Sequence, residues 1–249
     1  MINKFIGLSG LPRTGSTLLS AILDQNPDIH AEGNSAVCQL MWNTQQSCDS
    51  NCNEQLLANN RLNTKHDIVS AIPNIYYKDI TSSVVIDKCR SWTLPDNMNM
   101  FANYIDPKPK VIVLERPIID IVKSFVSLRK ANNYKGNLEE GLLDDYSEPI
   151  IRSLNGIKWA KSINKGEFLF IQYDDLVDKT NEILKEVYKF LELPVFEHNL
   201  AKILNNHQEN DLIDGLYLGQ HDVRQNIGRR KLDVKLSDAT LKRCIELDK

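Results

Sequence analysis

The residues of this chain best suited to chemistry begin at position 10. Gly10-Leu-Pro-Arg13-Thr14-Gly15-Ser16-Thr17 lies between a short apolar run and a stretch with helical periodicity. A turn joining a strand to a helix aims several backbone N–H groups and the positive helix end at one spot, which suits a phosphate or a sulfate. The glycines let the backbone approach an anion closely, and Ser16 and Thr17 add hydroxyl donors. The nucleotide-triphosphate loop G-x-x-x-x-G-K-[ST] carries lysine where this chain has Ser16. The positive charge sits three residues earlier, at Arg13. This is an anion cradle without the lysine that a Mg-nucleotide enzyme uses.

Other groups repeat the theme of a polar residue at the end of an apolar run. Val111-Ile-Val-Leu-Glu-Arg116-Pro117 ends in an arginine, and Ser124 follows eight residues later. A guanidinium fork binds phosphate bidentately and a hydroxyl can complete the site. Taken alone, Arg116 could equally pair with Asp120. Lys88, Arg90 and Trp92 follow the run 84–87. Tyr173 follows the run 168–172 and offers a ring to pack on a base. Asp174 and Asp175 suit the start of a helix. Near the C-terminus, His221-Asp-Val-Arg224 and Gly228-Arg229-Arg230-Lys231 form a local basic cluster. The candidate general bases are Glu32, His221 and His30, and His66 and His207 read as surface residues.

The elements that must hold these groups follow from periodicity. Strands are expected at 5–9, 28–31, 84–87, 111–115 and 168–172. Helices are expected at about 16–25, stopped by Asn26-Pro27, and at about 118–129 and 179–191. Leu18, Leu19, Ile22 and Leu23 share one face of the first. Ile118, Ile121, Val122, Phe125 and Val126 form the inner stripe of the second, and Ile183, Leu184, Val187, Tyr188 and Leu191 that of the third. Residues 35–80 read as mostly helical with polar breaks near 47–53 and 60–64. The region after 205 has little periodicity. Alternating strands and helices predict an α/β fold, a three-layer sandwich with a central parallel sheet flanked by helices. Such sheets bind ligands beyond the carboxyl ends of their strands, where the motifs fall.

Leu11-Pro-Arg13-Thr14-Gly15-Ser16-Thr17-Leu18-Leu19 resembles the 5′-phosphosulfate loop of sulfotransferases that use 3′-phosphoadenosine-5′-phosphosulfate (PAPS). It is most similar to versions with arginine, as in tyrosylprotein and many bacterial and phage sulfotransferases. The likeness continues through Leu23-Asp-Gln-Asn-Pro27 and at intervals to Arg230. It implies a P-loop-like fold, with Arg13, Thr14, Gly15, Ser16, Thr17 and Leu18 around the 5′ end of the donor. It implies that Arg116 and Ser124 hold the 3′-phosphate, that Tyr173 lies near the adenine, and that Lys88 helps stabilise the transferring group. The family often has Asp and a further basic residue after the arginine, where this chain has Pro117 and Ile119. The C-terminal basic loop of relatives points to Arg224 and Arg229 as cofactor contacts. Tyrosylprotein enzymes place a catalytic glutamate in the region of Glu32. Counted from Arg13, however, their position falls on Asn34. Cytosolic relatives use histidine, which points to His221.

The 249 residues form one expected domain, 1–249, with a helical insert at about 35–80 and an irregular segment at about 206–249. The hydrophobic share of 42% and charged share of 25% are those of a globular chain. A net charge of −3 disfavours general nucleic-acid or membrane-surface binding. Five loosely spaced cysteines, with no second pair to complete a zinc site, read as free thiols of a reducing compartment. No metal is expected. Short apolar runs predict no membrane span and a cytoplasmic protein. The acceptor is expected to be a small molecule or peptide, with residues 35–80 and 132–147 shaping its pocket. Two other readings stay open: a kinase using Mg-ATP with Asp87 as a metal-binding carboxylate, and a non-catalytic nucleotide-binding module.

Overall fold

In the computed structural model, residues 2–145, 148–207, 209–214, 219–224, 227–229 and 232–249 are described. Five parallel strands form the sheet: β1 Lys4–Gly10, β2 Ile29–Asn34, β3 Val84–Lys88, β4 Val111–Glu115 and β5 Phe168–Gln172, in the order β2-β3-β1-β4-β5. Period-two side-chain alternation makes the layers. Phe5, Val85, Val111 and Val113 face one core, whereas Ile6, Leu8, Ile86, Ile112 and Leu114 face the other. The second face is covered by α1 Ser16–Leu23 and α9 Thr180–Leu191, through Leu19, Ile22, Leu184, Val187 and Leu191. The first face is covered by α2 Val37–Asp49, α4 Leu62–Tyr76, α5 Pro95–Tyr104, α6 Ile118–Ala131, α7 Ser153–Ile163 and α10 Asp238–Leu247. Two short helices, α3 Asn53–Ala58 and α8 Tyr173–Asp178, complete the set among the described residues.

This is the expected three-layer α/β sandwich. Residues 35–80 form α2, α3 and α4, with breaks at 50–52 and 59–61. The irregular tail nevertheless ends in α10, which starts at Ser237, whose hydroxyl accepts from the Thr240 N–H.

β1 lies between β3 and β4, so the chain leaves it towards β2 and later crosses to the other side. The turns after β1, β3, β4 and β5 all open along one sheet edge, the usual ligand crevice of such folds. Gly10 makes this edge possible. Its φ is 144°, and a Cβ there would stand 2.4 Å from the Leu114 carbonyl oxygen. Gly15, at φ 88°, turns the chain into α1 and leaves room for the Tyr173 ring, which a Cβ would meet at 3.0 Å.

Candidate active site

A cavity of about 360 Å³ sits on this edge. The loop from Gly10 to Leu18 forms its floor, and Gly15, Ser16, Thr17 and Leu18 all line it. Thr14 is fully buried and its hydroxyl donates to the Leu11 carbonyl at 2.6 Å, so it shapes the loop from inside and does not face the cavity. Arg13 is left-handed at φ 63°. That conformation turns its side chain across the mouth, where Nε donates to Ser124 Oγ at 3.1 Å and Nη1 donates to the Gln220 carbonyl.

Arg116 leaves the end of β4 and closes over the same loop. Its Nη1 donates to the Arg13 carbonyl at 3.0 Å, and its guanidinium lies 4.2 Å from the centre of the Tyr173 ring. Its Nε is buried and makes no hydrogen bond. A buried guanidinium N–H without an acceptor is costly, and an anionic ligand would satisfy it. Arg116 is taken up by the Arg13 carbonyl and the Tyr173 ring and does not pair with Asp120. Ser124, in the second turn of α6, and Tyr173, at the start of α8, also line the cavity.

Lys88 ends β3 beside the loop and is only 5% exposed. Nζ donates to Thr17 Oγ1 at 3.3 Å and to Glu209 Oε2 at 3.1 Å. Burial pulls the Lys88 amine below the ordinary lysine value, Glu209 opposes this, and Arg90 and Arg13 add to the lowering. Burial pushes the Glu209 carboxyl up, but Lys88, the Asn34 amide and His221 hold it below the ordinary carboxylate value.

Glu209 was not singled out by sequence reasoning. Its Oε1 accepts from Asn34 N and Nδ2, both at 2.9 Å, and its Oε2 stands 3.3 Å from His221 Nε2. His221 Nδ1 is 2.5 Å from Asp211 Oδ1. Lys88, Glu209, His221 and Asp211 therefore form one chain of polar contacts. His221 is shared between this cavity and a neighbouring one of about 550 Å³, with Asn34, Arg90 and Gln220 common to both. The second cavity is bounded on its far side by Arg152 and Ser153 from the start of α7 and by Cys89 and Ser91.

Besides Thr14, two expected site residues are not brought to the cavity. Glu32 lines neither space. It stands 3.2 Å from His30 Nε2 and acts on the buried Tyr77 and Asp87. The reason is a bulge between Ala31 and Asn34, which puts Asn34 opposite Lys88 and re-aims the strand end. Asn34, the position counted from Arg13, is the residue at the wall. Arg229 turns outwards, with Nη1 3.1 Å from Asp174 and Nε 3.0 Å from Asp178. Two carboxylates, one near each end of α8, capture it. Arg224 does line the cavity. Arg230 and Lys231 lie outside the described residues.

Asp87 is completely buried, and its oxygens accept from Tyr77 Oη at 2.8 Å and Trp92 Nε1 at 2.7 Å. It ties β3 to the core and presents no face to a metal–nucleotide, against the kinase reading. Trp92 packs in the core and supplies this hydrogen bond from there. All five cysteines are free thiols. Among the described residues no helix is long and apolar enough to cross a membrane.

A family model described as "Sulfotransferase family" matches residues 6–198. The chain belongs to the sulfotransferase family. Its fold is that of solved bacterial sulfotransferases. The sulfotransferase domain from the curacin biosynthetic pathway aligns with TM-score 0.61 at 17% identity, covering 100% of this chain and 98% of that one. The sulfotransferase domain of the Synechococcus PCC 7002 olefin synthase gives 0.59 at 18%, covering 100% and 96%. A sulfotransferase from Alicyclobacillus acidocaldarius gives 0.53 at 13%, covering 86% and 89%. Comparison with curated protein sequences gives no match. The central parallel sheet flanked by helices is thus shared with these domains at the level of fold.

Proposed function

We propose that this sulfotransferase moves the sulfuryl group of PAPS to a hydroxyl or amine of an acceptor, and that residues 1–249 act as one catalytic unit. The observation that carries this reading is the pairing of two anion-binding places in one cavity. The Gly10–Leu18 loop with Lys88 forms one, and Arg116, with its buried unsatisfied Nε, forms the other with Ser124. A donor bearing a phosphosulfate at one end and a 3′-phosphate at the other needs both. Tyr173 then packs near the base, and Arg224 closes the open side.

The donor supplies a sulfuryl group already activated by its bond to phosphate. The residues align it and neutralise the charge that develops on the leaving phosphate. Arg13 and Lys88, with the loop amides, stand at the 5′ end for that purpose. The acceptor oxygen bonds to sulfur as the sulfur–phosphate oxygen bond breaks, and 3′-phosphoadenosine-5′-phosphate departs. The acceptor proton needs a base. His221 is the best placed of the candidates, because it faces both cavities and Asp211 fixes its ring by Nδ1. Positioned bases contribute about 10²–10⁴-fold. Glu209 links His221 to Lys88 and moves with them. The second cavity takes the acceptor, a small molecule or the side chain of a peptide. No step in this scheme calls for a metal.

The test is transfer of labelled sulfate from PAPS to a panel of hydroxyl and amine acceptors. Labelled product that requires Arg13 supports the reading. A protein that consumes ATP and never PAPS refutes it.

A further inference from the structure

Outside the cavity, three groups that can ligate a metal converge near the start of β2. They are the carboxylate of Asp24, which caps α1, the imidazole of His30 within β2, and the imidazole of His207 in the segment leading to Glu209. One donor atom from each lies within 4.8 Å of the others. His207 Nε2 and Asp24 Oδ1 are 3.3 Å apart. Ligands bound tetrahedrally to zinc at about 2.0–2.2 Å stand about 3.3 Å from one another, so one edge of such a site already has its length.

The second observation is the state of His30. Its side chain is 6% exposed, and Nε2 makes no hydrogen bond. Glu32 Oε2 stands 3.2 Å away but off the line that a hydrogen bond needs. Burying an imidazole unsatisfied is unfavourable, whereas a cation held by His30 and its neighbours removes the deficit. Two carboxylates, Asp24 and Glu32, face this corner and favour positive charge there.

We propose that Asp24, His30 and His207 bind one divalent transition-metal ion of the zinc class, with a water as fourth ligand. Imidazole and carboxylate together suit zinc and cobalt better than magnesium or calcium. The site is not catalytic. It fastens the segment around His207 onto β2, and two residues later Glu209 reaches Asn34 and Lys88. The ion thereby sets where Glu209 stands, and this holds whatever the reaction is.

The test uses the full chain after chelation, titrated with zinc chloride and, separately, cobalt chloride. One equivalent should bind, and cobalt should show the visible bands of a low-coordinate nitrogen- and oxygen-ligated ion. His207→Gln removes a side chain that is 35% exposed and should fold normally. It should weaken zinc by about 100-fold or more, because loss of even an outer-shell partner costs about 10–100-fold. Zinc should also slow proteolysis of the segment around 205–211 in the unaltered chain and not in this variant. Absence of saturable binding overturns the proposal, and so does binding that His207→Gln and His30→Gln leave unchanged.

Discussion

Replacing Lys88 by Met separates a catalytic cation from a structural ion pair. A partner removed from a fully buried pair costs about 3–5 kcal/mol, because the other charge is left alone. Glu209 is not left alone: its side chain is 21% exposed, Asn34 donates to it twice, and His221 stands at 3.3 Å. Burial also lowers the amine of Lys88 relative to the unfolded chain. Between the lowered folded value and the ordinary value of 10.5, the unfolded chain binds more protons, so Lys88 detracts from stability below that window and the loss is recovered as pH rises through it. Met fills similar volume without this penalty. The two effects oppose, and the net change in unfolding free energy should stay within about 1 kcal/mol. Catalysis has no such compensation. Loss of one preorganised donor to developing negative charge costs about 10²–10³-fold in kcat, or about 2.7–4 kcal/mol. Urea denaturation and single-turnover transfer on the same preparation give both numbers. A variant that retains kcat within about 10-fold, or that unfolds while losing activity in proportion, refutes the assignment.

Other perturbations follow from the same geometry. Arg13→Ala should abolish sulfuryl transfer while circular dichroism and melting stay near those of the parent, and normal turnover would remove Arg13 from the mechanism. Arg116→Ala deletes hydrogen bonds to a charged group worth about 1.5–3 kcal/mol. It should weaken 3′-phosphoadenosine-5′-phosphate about 10–100-fold by calorimetry, with a much smaller effect on adenosine 5′-phosphosulfate, which lacks the 3′-phosphate. Gly10→Ala places a methyl group 2.4 Å from the Leu114 oxygen at φ 144°. It should destabilise the fold by about 1–3 kcal/mol or more from backbone strain, read in a urea melt. Arg224→Ala should weaken bisphosphate binding, and Arg229→Ala should not, since Arg229 is occupied by Asp174 and Asp178. Equal effects of the two would return Arg229 to the site.

The strands were legible because each is a short apolar run ended by a polar functional residue. Residues 111–115 and 168–172 match β4 and β5 at both ends. The stripes of α6 and α9 were legible for the same reason, as amphipathic periods of 3.6. α5 has a readable start, with Pro95 at its first turn and Asp96 beside it, yet its mixed polar run hides the period. α7 buries Leu154, Ile157 and Ala160 but follows a loop that gave no boundary. α10 was missed, because it lies in a region read as irregular, although Ser237 caps it.

The site divides in the same way. Lys88 and Arg116 lie at strand ends, Arg13 in the loop after β1 and Ser124 in the second turn of α6, so the chain order already places them near one edge. Glu209 reaches Lys88 across 121 residues, from a segment with no period to anchor a prediction. The bulge that sets Asn34 in place of Gly33 opposite Lys88 is a one-residue event that hydrophobic alternation does not encode. Arg229 was visible as charge, but the carboxylates that take it are on α8, about fifty residues away in sequence.

Calorimetric titration with 3′-phosphoadenosine-5′-phosphate, run beside ATP with Mg²⁺, tests the central claim most directly. The account predicts saturable one-to-one binding of the bisphosphate, lost in Arg116→Ala, and no comparable binding of Mg-ATP. Preference for Mg-ATP, or bisphosphate binding that ignores both Arg13 and Arg116, would contradict it.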